Sequence, residues 1–410
     1  MVEYNRDQLA HLLRHARAQV PFYAKRLDAV FRSDGSIDWS RWAEIPILTK
    51  SFLRDSPAEL MAKSLPPGHG PTKKFSTSGS SGVPITITAT AIASVVKTAA
   101  VGRMHYLHRI DGTQANASFA FTKKHMTIPD VRIGTWSAFP ATPQVRGKNL
   151  KINLRLPERK KLQIMMAENC RYITELPNTT EILARENLKL RKRLKLDAVV
   201  CYGQGVSEDQ QALFHKSFGA RAISIYSSKE AGLMACQCTA GPHYHVNSEL
   251  VLLEVLDPQN RPCAPGESGR VVVTPLYSTA QPLIRYEQGD IATVGDSCTC
   301  GSQLPVLFRI EGRQDPVFRF PDGYGSEVMI DKTRLNKVLR AQAVQIAQVT
   351  ELKFEVRYSA KKDVTEKGAA KLTAHLREAL HPKLRVAFKR MAELPRNAGG
   401  KQQRFVREFA

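Results

Sequence analysis

The stretch that decides the fold is Leu196–Gly232, LDAVVCYGQGVSEDQQALFHKSFGARAISIYSSKEAG. Its first part is a short apolar run, Ala198–Cys201, that ends in glycines and reads as a buried strand. SEDQQALFHKSF comes next as a helix, with Ser207 at its N-cap and Gly219 just past its end. ARAISIYSS is then a second strand. Strand, helix and strand in succession predict parallel α/β pairing. The segment after the second strand has two readings. On pattern alone, Ser227 and Glu230 fit a capping box that opens a helix. The same residues also suit a polar or Mg²⁺ site at the carboxyl edge of a parallel sheet.

Away from this unit the pattern changes. Residues 6–33 read helical, with Leu9, Leu12, Leu13, Ala16 and Val20 on one face, and Thr49 caps a short helix after IPIL. ELVLLEVLD, GRVVVTPL and DIATVG read as strands joined by turns, a β-rich piece beginning near residue 249. After Gly312, a helix over 331–342, strands over 345–359 and a helix over 367–380 predict a small α+β domain. The expected class is α/β: a large N-terminal domain over 1–312, made of α/β sheets plus a β-rich subdomain, and a small C-terminal domain over 313–410.

The chain has 410 residues and a formal net charge of +22. Arg146, Lys148, Lys151, Arg155, Arg159, Lys160 and Lys161 cluster, and LKLRKRLKL (Leu188–Leu196) is a second run. Such an excess implies an anionic partner, set against a basic face that only aids solubility. No apolar run of about 18 residues predicts a membrane span. The N-terminal stretch lacks an apolar core followed by small residues, so it does not read as a signal peptide. A cytoplasmic protein is the simplest expectation. The 7 cysteines argue against a disulfide framework and leave two C-x-C pairs to explain.

Four further segments carry chemistry. FSTSGSSGVPITI (Phe75–Ile87) packs hydroxyls and glycines into one turn, as a flexible linker or as a nest of N–H donors for phosphate. No Lys follows its second glycine, so it is not a Walker A loop. In PLIRYEQGDIATV, Asp290 follows a glycine at a strand start and can accept two hydroxyl hydrogen bonds, or is an ordinary turn residue. RIEGRQD places Arg313 and Asp315 shortly after. Finally, Gly399 and Gly400 precede Lys401 in a turn or tail that can present an ammonium.

The order of these segments resembles the adenylate-forming superfamily of acyl-CoA synthetases, and within it the phenylacetate–CoA ligase branch with its capsule-biosynthesis-type members. GESGRVVVTPL followed by PLIRYEQGDI, and CTCG before RIEGR, are in that branch's style. The resemblance implies an ATP-dependent ligase that converts a carboxylic acid, expected to be aromatic, to acyl-AMP and passes it to a thiol of CoA or of an acidic carrier protein. It places Thr77, Ser78, Gly79, Ser80, Ser81 and Gly82 on the ATP phosphates. It puts Tyr226 on adenine, with Ser224, Ser227 and Lys229 in the same nucleotide site. Glu230 falls on Mg²⁺, Asp290 with Arg313 on the ribose, Asp315 at a hinge and Lys401 in adenylation.

The chain departs from the pattern at Val83-Pro84-Ile85, at Lys229, which stands where a Thr or Ser is usual, and at Gln204, which stands where an acid is usual. Cys238, His245, Cys298 and Cys300 are the expected ligands of a structural Zn²⁺, with Cys236 and His243 as substitutes. Two other readings remain. One transfers the acyl group to an amine instead. The other is a nucleic-acid-binding protein on an inactive ligase scaffold, which Glu230, Asp290, Arg313 and Lys401 argue against, so nucleic acid is not the expected partner. A homodimer is one assembly the resemblance allows.

Overall fold

The structure is a computed structural model. It describes residues 3–76, 85–120, 130–136, 146–154, 156–203, 205–311, 318–321, 323–324, 335, 338–341, 343–395 and 405–409. The chain forms two compact units, one carried by nearly all of the first 313 residues and one by residues 314–410. No helix among the described residues is long and apolar enough to cross a membrane.

The first unit opens with α1 (Glu3–Gln19), which buries Leu9, Leu12, Leu13 and Ala16. The helical pattern expected to run to residue 33 stops there. Pro21 cannot donate a backbone hydrogen bond, and short 3₁₀ turns at Pro21–Tyr23 and Asp28–Val30 take over. A short helix, α2 (Lys50–Asp55), starts at Thr49, whose hydroxyl accepts from the Phe52 N–H. The hairpin of β1 (Thr72–Ser76) and β2 (Thr86–Thr90) flanks residues 77–84 and leads into α3 (Ala91–Leu107).

The centre of the unit is a twelve-stranded sheet among the described residues. One half is the predicted α/β part. It holds β3 (Ala115–Ala120), β4 (Val131–Trp136), β5 (Gly147–Asn153), β6 (Cys170–Glu175), β7 (Ala198–Cys201) and β8 (Arg221–Ser228). These lie in the order β4-β5-β3-β6-β7-β8, and all but the edge strand β4 are parallel. The helices α4 (Glu158–Ala167), α5 (Pro177–Leu188) and α6 (Glu208–Phe218) supply Leu162, Met165, Leu183, Phe214 and Phe218 to one apolar cluster. Ala100 and Met104 of α3 join a different cluster with Tyr172, Val200 and Ile223. The helix expected between β7 and β8 has both of its predicted caps: a full Ser207–Gln210 capping box, and Gly219 at φ 71.

The other half is antiparallel. It comprises β9 (Gly232–Gln237), β10 (Tyr244–Val246), β11 (Val251–Leu256), β12 (Ser268–Pro275), β13 (Tyr286–Val294) and β14 (Val306–Glu311). Their order continues from β8 as β9-β10-β14-β13-β12-β11.

The N-terminal segment is fastened to this half by the guanidinium of a buried ion pair and by backbone hydrogen bonds beside it. Arg285, 1% exposed, donates to both carboxylate oxygens of Glu254 at 3.1 and 3.3 Å. It also donates to the carbonyls of Ala43 and Ile45 at 2.7 and 2.8 Å. Beside it the Leu48 N–H donates to the Arg285 carbonyl, and the Glu287 N–H to that of Leu48. Burial pushes the Glu254 carboxyl up and Arg285 pulls it back.

The second unit carries β15 (Arg319–Phe320), β16 (Gly323–Tyr324), β17 (Ala343–Thr350), β18 (Lys353–Ser359), α7 (Glu366–Ala379), β19 (Arg385–Arg390) and β20 (Phe405–Arg407). Four of these strands form a sheet in the order β19-β18-β17-β20. Its own core includes Phe318, Phe354, Leu372, Leu376 and Leu384. Most of the helix expected over 331–342 lies outside the described residues.

Arg285→Ala should strip the largely buried Glu254 of its cation and free two backbone carbonyls. We expect a loss of about 3–5 kcal/mol in denaturant unfolding of the first unit. A loss below about 1 kcal/mol would show that the pair does not hold the N-terminal segment.

Candidate active site

In an open parallel sheet, ligands meet the carboxyl ends of the strands. Here that edge holds the ends of β3, β6, β7 and β8, and β8 carries three of the expected residues. Ser224 is buried. It accepts from the Tyr244 hydroxyl at 2.8 Å, while its N–H donates to Gln237 Oε1. Tyr226 is buried further along, and Ser227 is half-buried.

The chain does not enter a helix after β8. It reverses at 229–231 and returns as the antiparallel β9, with Ser228 opposite Gly232. The capping-box alternative is therefore wrong. Ser228, not Ser227, accepts the local bond, from the Ala231 N–H at 3.0 Å. A strand beginning two residues after Glu230 leaves no room for a helical turn.

The turn places Glu230 in a buried position beside an exposed Lys229. Lys97 of α3, which the sequence reading missed, lies across it. Its ammonium reaches the Lys229 carbonyl at 3.4 Å. Its methylenes cover Gly232, where an added Cβ would meet Cγ at 2.7 Å. Burial pulls the Lys97 ammonium down, and the Glu230 charge pulls it back up. Nothing local in the α3 sequence marks Lys97, because its role comes from the strand turn beneath it.

Asp290 reaches the same place from β13. Arg270 pairs with Ile291 and Val272 with Glu287, so Gln288, Gly289 and Asp290 together oppose Val271. This bulge needs Gly289, at φ 86, and it re-aims Asp290. The Tyr226 hydroxyl donates to Asp290 Oδ2 at 2.7 Å. In strand order β8 and β13 are four spacings apart, about 19 Å in a flat sheet. Contact between them therefore requires the antiparallel half to curl round.

Glu175, at the end of β6, is a second acid at this edge that sequence reasoning passed over. It is buried and accepts from the N–H groups of Phe119 and Leu176 at 2.9 and 3.0 Å. The Tyr202 hydroxyl adds a longer bond at 3.4 Å. Burial pushes its carboxyl up. Its signal in the sequence was an acid closing the short CRYITE stretch just before Pro177.

Three cations of the first basic run are paired. Lys148 pairs with Glu168 and Lys160 with Asp130, while Lys161 is buried against Glu158. Arg155 lies outside the described residues. So do Thr77, Ser78, Gly79, Ser80, Ser81, Gly82, Gln204, Arg313, Asp315 and Lys401. A cleft of about 530 Å³ lined by His11, His15, His69 and Thr279 contains none of the expected site residues.

The C-x-C pairs converge. Cys238 directly follows β9, His243 and His245 flank the start of β10, and Cys298 and Cys300 lie between β13 and β14. The ligand atoms of Cys238, His243, His245 and Cys298 all lie within 4.8 Å of one another. Cys238 and Cys298 Sγ are 3.7 Å apart. Two thiolates on one tetrahedral zinc, each at about 2.3 Å, lie about 3.8 Å apart.

The N–H groups of Ala240 and Cys300 each donate to the sulfur two residues earlier, while burial pushes the Cys238 thiol up to about 11. His245 Nδ1 faces the Leu304 carbonyl, which can only accept, so its Nε2 lone pair is turned toward the thiols. The compact four draws on one of the two expected substitutes. His243 belongs to the compact four, while the exposed Cys300 stands beside it, 3.3 Å from His245 Nε2. Cys236 is buried in an apolar cluster and takes no part.

No family model matches the chain. The phenylacetate-coenzyme A ligase of Thermus thermophilus is 28% identical over 166 residues, covering 37% of this chain and 37% of that protein. The match thus spans little more than a third of the relative's length. A 2-hydroxyisobutyryl-CoA ligase solved with 2-HIB-AMP and CoA in its thioesterification state aligns at TM-score 0.70 and 19% identity. That alignment covers 98% of this chain and 89% of that one. The fold is that of an adenylate-forming acyl-CoA ligase. The same ligase in its postadenylation state with 2-HIB-AMP aligns at TM-score 0.62 and 18% identity, over 98% of this chain and 88% of that one. The ligase fold thus runs through both units of the chain.

Tyr226→Phe should remove one hydrogen bond to a carboxylate and leave the packing intact. We expect about 1.5–3 kcal/mol lost in denaturant unfolding. An unchanged stability would mean that Tyr226 and Asp290 are not coupled in solution.

Proposed function

We propose that the protein activates a carboxylic acid with ATP and transfers the acyl group to a thiol, with CoA as the first acceptor to test. The observation that carries this reading is the Tyr226–Asp290 hydrogen bond, made at the carboxyl edge of β8 and next to the Lys97–Glu230 turn. A phenolic ring beside a carboxylate suits a nucleoside. The ring can stack on adenine, and Asp290 can accept the two ribose hydroxyls, assisted by Arg313. Ser224 and Ser227 shape the same pocket. Glu230 would help hold the Mg²⁺ that accompanies ATP, and Lys229 and Lys97 supply point charges close by. Residues 77–82 would give N–H and hydroxyl donors to the phosphates.

In the first half-reaction a substrate carboxylate oxygen attacks the α-phosphorus and pyrophosphate leaves. In the second the acceptor sulfur attacks the acyl carbonyl, AMP leaves, and the thiol proton is lost. The protein's task is to neutralise and align anions, for which Lys401 on the C-terminal domain is suited. Asp315 would be the hinge on which that domain, residues 313–410, turns between the two steps. An aromatic acid and a cytoplasmic setting complete the reading.

The test is acid-dependent pyrophosphate exchange over a panel of aryl and alkyl acids, followed by thioester formation with and without CoA. Exchange with at least one acid is expected. Lys401→Ala should lower it by about 100-fold or more while ATP binding persists. No exchange with any acid at saturating ATP and Mg²⁺ would overturn the proposal.

We further propose a structural zinc on Cys238, His243, His245 and Cys298, joining the β9–β10 hairpin to the β13–β14 connection. Tetrahedral sulfur and imidazole donors fit that ion. One zinc per purified chain is expected, with chelation lowering Tm but sparing exchange. Substoichiometric zinc with all 7 thiols freely titratable would count against it.

A further inference from the structure

The second basic run has a place that the chemistry above does not use. Residues 189–195 connect α5 to β7, so they lie at the amino edge of the parallel strands. Arg191, Lys192, Arg193 and Lys195 are all exposed, and none has a carboxylate partner among the described residues. The neighbouring connections add to them. Arg109 precedes β3 and Arg146 precedes β5, both exposed and both without an ion-pair partner among the described residues. The strands are in register at this level, with Ala115 opposite Cys170, Tyr172 opposite Ala198 and Ala198 opposite Arg221. The carboxylates of the same edge are already engaged. Glu168 holds Lys148, Asp197 holds Arg171, Glu186 holds Lys189, and Asp111 accepts from Thr113 and Gln114.

Five strand positions, β5-β3-β6-β7-β8, make this edge about 19 Å long. A point anion needs two or three converging donors. Cations spread over such a length suit a chain of phosphates. An aromatic ring stands at the same edge: Tyr106, at the end of α3, is 70% exposed, next to Leu107 at 46%. Unpartnered cations with an exposed ring are the elements of single-strand binding, in which the backbone is neutralised and a base stacks. An acceptor that delivers a thiol to the reaction belongs at the other edge. Strands of 4–8 residues put that edge roughly 13–26 Å away.

We propose that the amino edge of the parallel sheet, centred on Arg191–Lys195 with Tyr106, binds single-stranded nucleic acid without sequence preference. This surface is separate from the ligase site, so the sequence-based argument against an inactive scaffold does not bear on it.

The experiment is fluorescence anisotropy of labelled poly(dT) with the full chain over a range of salt. Saturable binding that weakens with salt is expected. Replacing Arg191, Lys192, Arg193 and Lys195 together by Ser should weaken binding about ten-fold or more. It should also make the log–log salt slope less negative by about 3. Tyr106→Ala should cost about five-fold or more while leaving that slope unchanged. Tm of both variants should match the parent. Three results would overturn the proposal: no binding at low salt, a quadruple variant that binds like the parent, or inorganic polyphosphate or phosphatidylglycerol vesicles binding as tightly as poly(dT) with no response to Tyr106→Ala.

Discussion

The candidate site depends on one buried cation. Arg285 sits at the start of β13 with Glu254 on one side and the carbonyls of Ala43 and Ile45 on another. A guanidinium taken out of water must find partners for its donors, and here they come from separate parts of the chain. The same residue takes φ 50, unusual outside glycine, so the backbone is also constrained there. This arrangement fixes where β13 begins. Five residues later the strand bulges and delivers Asp290. An error in the position of Arg285 would therefore pass directly to the carboxylate that meets Tyr226.

The second constraint is curvature. A mixed sheet can place β8 and β13 in contact only by curling its antiparallel half, and the bulge in β13 assists that bend. The clustered Cys and His side chains lie on the same half, where the β9–β10 hairpin meets the long connection after β13. That connection has little apolar material of its own, with Cys298 and Cys300 near Asp296 and Ser297. A metal link there would do for this end of the curled half what Arg285 does for the other.

The parallel half separates two kinds of chemistry by direction. At its carboxyl edge, strand ends bring acids and hydroxyls into partly buried positions, and a Lys from α3 closes over them. At its amino edge, helix ends and short connections leave cations in water. Adjacent strands run the same way, so the two edges cannot mix. A basic run placed just before β7 was thereby directed away from the carboxyl edge.

Much of this was present in the sequence. The Ser207 and Gly219 caps bounded a helix because their interactions are local. The apolar runs of β7 and β8 needed no distant partner to be read as strands. The convergence of Cys238, His245 and Cys298 came from ligand chemistry, since soft donors left free in pairs invite a metal. Tertiary structure decided what local patterns left equal. Ser227 and Glu230 satisfy a helix-start rule, yet β9 pairing with β8 captured the backbone instead. The substitute His243 joins the compact set because the β9–β10 turn sets which ring reaches Cys298. Lys97, Glu175 and the meeting of Tyr226 with Asp290 rest on contacts between residues 56 to 132 positions apart. Such contacts have no periodicity to read. They exist only once the sheet has chosen its order and its curl, and that choice belongs to the whole core.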